Sequence, residues 1–140
     1  MNIQDQLSEA IDNEKLELVE ELLKKGADAN KLNKLNETPL MVAAECDSTE
    51  IIQLLLAYGA KINKQGHEGN TPLHCAVNLS IDGTIQSGGA PGDEPTDIII
   101  FLLENGADLH AKNNSGKTPI DWAHDFKSEK IVKLLKKYDL

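Results

Sequence analysis

The stretch Thr71-Pro72-Leu73-His74-Cys75-Ala76 recurs in shortened form as Thr38-Pro39-Leu40, 33 residues before it, and as Thr118-Pro119-Ile120, 47 residues after it. The pair Gly59-Ala60 has counterparts Gly26-Ala27 and Gly106-Ala107 at the same two spacings. Apolar pairs agree, because Leu18-Val19, Ile51-Ile52, Ile98-Ile99 and Ile131-Val132 step by 33, 47 and 33. A 33-residue period with one interruption of 14 therefore organises the chain, and a fixed period of this size signifies stacked supersecondary units. Thr49 to Gly59 and Thr96 to Gly106 are equally long, which confines the extra 14 residues to the stretch between about Asn78 and Pro95.

Each unit reads as two short helices and a turn. Thr38 is placed to cap a helix whose first residue is Pro39, where a missing N–H costs nothing, and Leu40, Ala43 and Ala44 form its packing face. Thr49 is placed to cap a second helix, with Ile51, Ile52, Leu55 and Leu56 at helical spacing, and Gly59 ends it in the left-handed conformation. Lys61 to Asn70, polar and with two glycines, is a turn or short hairpin leading into the next Thr-Pro.

This pattern resembles the ankyrin repeat over essentially all 140 residues: Thr71 to Ala76 match the family signature, and Gly26-Ala27-Asp28-Ala29-Asn30 and Gly106-Ala107-Asp108-Leu109-His110 its closing segment. The fold expected is an all-α repeat solenoid of four stacked repeats forming one domain, about 1–35, 36–68, 69–115 and 116–140, with an insertion of about 81–94 between the two helices of the third. Terminal units need polar outer faces. Asp5-Gln6-Leu7 in place of Thr-Pro-Leu, Lys136 in place of Leu and Asp139 in place of Gly read as caps.

Composition excludes several functions. Hydrophobic residues make up 40% and charged ones 26%, a globular balance, and no apolar run is long enough to span a bilayer. The start at Met1 lacks a secretory signal, so the expected address is the cytoplasm. All 14 basic residues are Lys, and 23 acidic ones give a net charge of −9. Without Arg and without a basic stripe, nucleic acid is not the expected partner. Acid is concentrated in residues 1–30 and 81–105, each at −5, a field suited to a basic protein. Cys46 and Cys75 are too few for a disulfide scaffold and too isolated for zinc, which points to reduced thiols.

Candidate chemistry reduces to fragments. His74 and Cys75 are adjacent, so on a helix they point about 100° apart and do not form a dyad. In the resembled family the histidine of Thr-Pro-Leu-His is structural, bonding across neighbouring turns. Gly116-Lys117-Thr118 mimics the end of a phosphate loop but has Ala111 where the first Gly belongs. Asp82 to Pro95 contain four glycines and two prolines, which argues against a continuing helix and for a surface loop, and Asp82, Asp93 and Glu94 lack calcium-loop spacing. Trp122, in register with Val42 and Cys75, is expected in the core, whereas exposure of Phe126 would suggest a contact. Lys127, Lys130, Lys133, Lys136 and Lys137 read as the solvated face of a cap. No cofactor or metal is implied.

The resemblance implies a non-catalytic module that binds a protein partner along hairpin tips and the inner face of each first helix. Carried over by position, that surface comprises Leu32, Lys34, Leu35, Glu37, Glu45 and Cys46 at the first junction. Gln65, His67, Glu68, Asn70, Asn78 and Leu79 follow at the second, and Lys112, Asn114, Ser115, Lys117, Asp125 and Phe126 at the third. Leu32 and Leu35 stand out because a turn of Asn and Lys has no folding need for leucines. The chain also resembles stand-alone bacterial ankyrin proteins, some of them toxin-immunity inhibitors, which would fit an acidic monomer facing a basic toxin or enzyme. The rival class is an enzyme with a thiol- or His-dependent site.

Overall fold

A computed structural model of the chain describes residues 2–46, 48–87 and 96–139, with backbone only for 82–87. Among them are eight α-helices and no strand: α1 (Ile3–Asp12), α2 (Leu16–Lys24), α3 (Pro39–Glu45), α4 (Thr49–Ala57), α5 (Pro72–Ser87), α6 (Asp97–Glu104), α7 (Pro119–Asp125) and α8 (Glu129–Lys137). Each odd-numbered helix packs on the even one that follows and on the next odd one, giving an inner layer α1, α3, α5, α7 backed by α2, α4, α6, α8. This is an all-α repeat solenoid. Among the described residues no helix is long and apolar enough to cross a membrane.

Local chemistry sets the inner helices. Thr38 and Thr118 accept hydrogen bonds from the N–H groups of Met41 (3.1 Å) and Asp121 (3.2 Å), with proline following each threonine at the first helical position. Leu40, Ala43, Ala44, Leu73, Ala76 and Ala123 are buried, and the small side chains let successive inner helices approach closely. The outer layer contributes Val19, Ile51, Ile52, Ile99 and Ile131, none more than 1% exposed. Gly26, Gly59 and Gly106 follow outer helices at φ of +105°, +92° and +95°, and a Cβ there would touch nothing within 4 Å. Their requirement is therefore conformational rather than steric.

Successive units are joined by side-chain amides that read the backbone of the next unit. Asn30 donates through Nδ2 to the Gly59 carbonyl (2.9 Å) and accepts at Oδ1 from the Lys61 N–H (2.7 Å). Asn63, one period on, does the same with the Gly106 carbonyl (3.2 Å) and the Asp108 N–H (2.8 Å). Within the first unit, Gln4 clamps the Asp28 carbonyl (2.7 Å) and N–H (3.1 Å) in the same way. At the far end His110 stands where Asn30 and Asn63 stand, and its Nε2 meets Oδ1 of Asp139, which replaces the closing glycine, at 2.9 Å. The substitution at 139 thus supplies a side-chain acceptor where the ladder stops.

Several expectations need correction. Asn2 caps α1, accepting from the Asp5 N–H at 2.8 Å, so α1 begins ahead of the repeat register. Ser48 rather than Thr49 caps α4 through the Ile51 N–H (3.3 Å). Of the turn and the short hairpin left open for the connections between units, the described residues show the turn, with no strand. The helix expected to break at Asp82 continues: α5 is 16 residues long against seven for α3 and α7, and it passes through Gly83 to Ser87. A single glycine costs a helix only about 1 kcal/mol relative to alanine, too little to stop one anchored by buried Val77 and Ile81. Gly88 to Pro95, with Asp93, Glu94 and the other glycines and prolines of the expected break, lie outside the described residues.

Leu73 is fully buried inside the stack, so Leu73→Asp should unfold the chain by burying an unpaired charge, while Lys136→Asp at the cap should shift stability by less than about 0.5 kcal/mol. Asn63→Ala, which removes both clamps to one neighbour, should cost about 1–2 kcal/mol, read as a lowered urea midpoint.

Candidate functional site

The connecting turns come to tips built alike. Asn33 donates its N–H to the Glu37 carbonyl (2.9 Å), and its Oδ1 accepts from the N–H groups of Leu35 (2.9 Å) and Glu37 (3.0 Å). Asn113 repeats this with Lys117 and Ser115. The middle tip has Gly66 instead, because a Cβ there would sit 2.5 Å from the Asn36 carbonyl oxygen and 2.6 Å from the Met41 sulfur. Tip to tip, the Asn114 N–H donates to the Glu68 carbonyl (2.9 Å), Gln65 Nε2 to the Lys112 carbonyl (2.8 Å), and Asn113 Nδ2 to Oδ1 of buried Asn70 (3.0 Å).

The residue three after each capping threonine returns the bond, accepting the threonine N–H at Met41 Sδ (3.5 Å), His74 Nδ1 (3.1 Å) or Asp121 Oδ2 (2.9 Å). The bond from Thr118 holds the Asp121 carboxyl below the usual range. Only His74 also reaches forward. Because Nδ1 accepts from the Thr71 N–H, the proton sits on Nε2, which donates to the Lys117 carbonyl (2.9 Å). The ring meets Trp122 edge-on, with centroids 5.4 Å apart. Both ring nitrogens are thus engaged away from Cys75, and burial pushes the Cys75 thiol up to about 12 and the Cys46 thiol to about 11. The pair is not a thiolate–imidazole dyad.

Beneath the tips lies a groove of about 280 Å³ lined by Glu37, Met41, Glu45, His67, Glu68, Asn70, Cys75, Asn78, Leu79 and Trp122. It brings together the first and second junctions of the expected surface. Loss of water, then the like charges of Glu37 and Asp12, push the Glu45 carboxyl above the ordinary carboxylate range. Trp122 is the main departure from expectation. It is half-buried, packed on the core by one side and open to the groove by the other. An indole is simply larger than the valine or thiol at the equivalent positions 42 and 75, so it overhangs. Met41 and Cys75 also line the groove without having been expected there.

Other expected residues fall outside it. Lys34 and Leu35 line a separate shallow face with Asp5, Ser8, Glu9, Asp12, Asn33 and Glu37, where Lys34 lies 3.5 Å from Asp5. Leu35 is 68% exposed and Phe126 52%, but Leu32 is half-buried. Half-buried Cys46 directs its sulfur to the Asp12 carbonyl at 4.0 Å. Lys117 pairs with Asp125 at 2.9 Å, which raises its pKa. Lys112, Asn114 and Ser115 are exposed at the third tip. Gly116-Lys117-Thr118 is part of that tip and of the α7 cap rather than a phosphate loop.

The family comparison agrees with this geometry. A family model for ankyrin repeats, three copies, matches residues 7–85, and a single ankyrin-repeat model matches 68–114. The chain belongs to the ankyrin-repeat family, whose repeats are in general modules for protein–protein interaction. No curated protein sequence matches it.

His74 generates a pH dependence. Burial lowers its pKa from the ordinary 6.5, so the unfolded chain takes up a proton at a pH where the folded ring does not. Stability is whole above about pH 6.5 and falls as pH drops toward the lower, folded value. Chemical melts between about pH 7.5 and about pH 5.5 should show this decline, and His74→Ala should abolish it while costing about 1–3 kcal/mol at the upper end.

Proposed function

We propose that this chain is a non-catalytic binding protein that holds a protein partner along its tips and the inner-helix face, as a monomer in the cytoplasm. Its units run over about 1–35, 36–68, 69–115 and 116–140. The observation that carries this reading is Leu35, 68% exposed at a tip whose backbone is already satisfied by Asn33, together with Phe126, 52% exposed at the end of α7. Neither packs in the core, so the fold gives no reason for either. Engagement of both His74 nitrogens and the raised thiol of Cys75 speak against the rival of a thiol enzyme.

A narrower reading, toxin immunity, takes support from the acidic lining of the groove and the net charge of −9, both of which suit a basic target. Co-expression with a toxin encoded beside this chain tests it, and absence of protection removes it.

The combined change Leu35→Ser and Phe126→Ser should leave stability within about 0.5 kcal/mol, since neither side chain packs in the core. Proteins retained by the immobilised chain should be lost from this variant and kept by Leu18→Ser, which changes an exposed leucine on the outer helix α2. Unfolding of the double variant, or loss through Leu18→Ser instead, would place the surface elsewhere.

A further inference from the structure

The concave groove has a floor and a rim of different chemistry. Leu79 and Trp122 present apolar and aromatic surface above buried Met41, while Glu37, Glu45 and Glu68 supply three carboxyl groups. No lysine lines it, and among the described residues none forms an ion pair with Glu37 or Glu45. Among the described residues, the ion-pair partner of Glu68 is His67, at 3.7 Å. Glu37 accepts one hydrogen bond at its tip, from Asn33 Nδ2 at 3.1 Å, and gathering the three acids opposes folding by like-charge repulsion. What such a groove lacks is a cation with an apolar stem.

We propose that the groove seats an arginine side chain carried on a segment of the partner protein, its stem along Leu79, its guanidinium against Trp122 and held by Glu37, Glu45 and Glu68. This rests on the reading of the concave face as the partner surface and names what that surface selects. Arginine fits better than lysine because its planar head stacks on an indole and donates in several directions at once to separate carboxylates. The volume of about 280 Å³ suits one long side chain and the backbone on either side, not a folded element. The raised pKa of Glu45 agrees, because a cation arriving there relieves the repulsion from Glu37 and Asp12.

Trp122 is the only tryptophan and lines the groove, so its fluorescence reports a peptide seated there. The probes are a short glycine–serine peptide bearing two arginines and counterparts in which citrulline, lysine or glutamate replaces arginine. The arginine peptide should give a saturable change, the lysine peptide a weaker one, and the citrulline and glutamate peptides none. Glu37→Gln with Glu45→Gln should weaken the arginine peptide at least about tenfold, while Glu50→Gln with Glu104→Gln, an equal loss of charge from α4 and α6, should change it less than about twofold. Glu68→Gln alone should weaken it in a chain whose melting temperature is checked to be unchanged. Absence of a saturable response, an equal response to citrulline, or equal weakening by the outer pair overturns the assignment. A partner lost with Leu35→Ser and Phe126→Ser but kept by Glu37→Gln with Glu45→Gln would refute the arginine seat and leave the proposed surface standing.

Discussion

A side-chain amide that bonds both polar groups of the next unit's backbone is the interaction on which the rest of this structure depends. The segment between one outer helix and the following tip has no ladder of its own, so its N–H and C=O groups need partners elsewhere. An asparagine offers one donor and one acceptor in fixed relation, and Asn30 and Asn63 each use both on the following unit. Because every clamp points forward, the stack can close only where the last one finds an acceptor. His110 and Asp139 provide that ending with a pair of side chains.

The same segments carry the clamp at their start and the tip at their turn, so fixing one places the other. The second and third tips are then locked to each other by Gln65, Asn70, Asn113 and the Asn114 N–H, and His74 ties the inner layer to Lys117 beneath them. On this rigid frame the exposed Leu35 and Phe126 and the acidic groove are departures from what folding asks. Local rules are most often broken where a protein works, and here the departures share the tip and inner-helix side.

Much of the fold was legible because its period is carried by residues with a strict local task. Thr-Pro starts a helix, Gly26, Gly59 and Gly106 supply positive φ after one, and paired β-branched or leucine residues fill the outer layer. What local pattern could not show is contact between units. Asn30, Asn63 and His110 share the repeat spacing, and that spacing was the available signal for the clamp, but only the structure pairs His110 with Asp139. Trp122 was placed in the core by register, although the size of its ring leaves part of it in the groove. The overrun of α5 is not legible from its glycines and prolines, because the buried Val77 and Ile81 that hold the helix in place are contacts made only in the fold.

Native-state hydrogen exchange at Asp28, Lys61 and Asp108 tests the clamped stack most directly, since these three N–H groups lie outside every helix and bond to side-chain amides, Gln4 of the same unit for Asp28 and Asn30 and Asn63 of the preceding unit for the other two. If the clamps hold the solenoid, the three amides are protected well above unstructured-chain rates and open together with the helices of the units they join. Exchange at unstructured-chain rates while α3, α4 and α5 stay protected would contradict it.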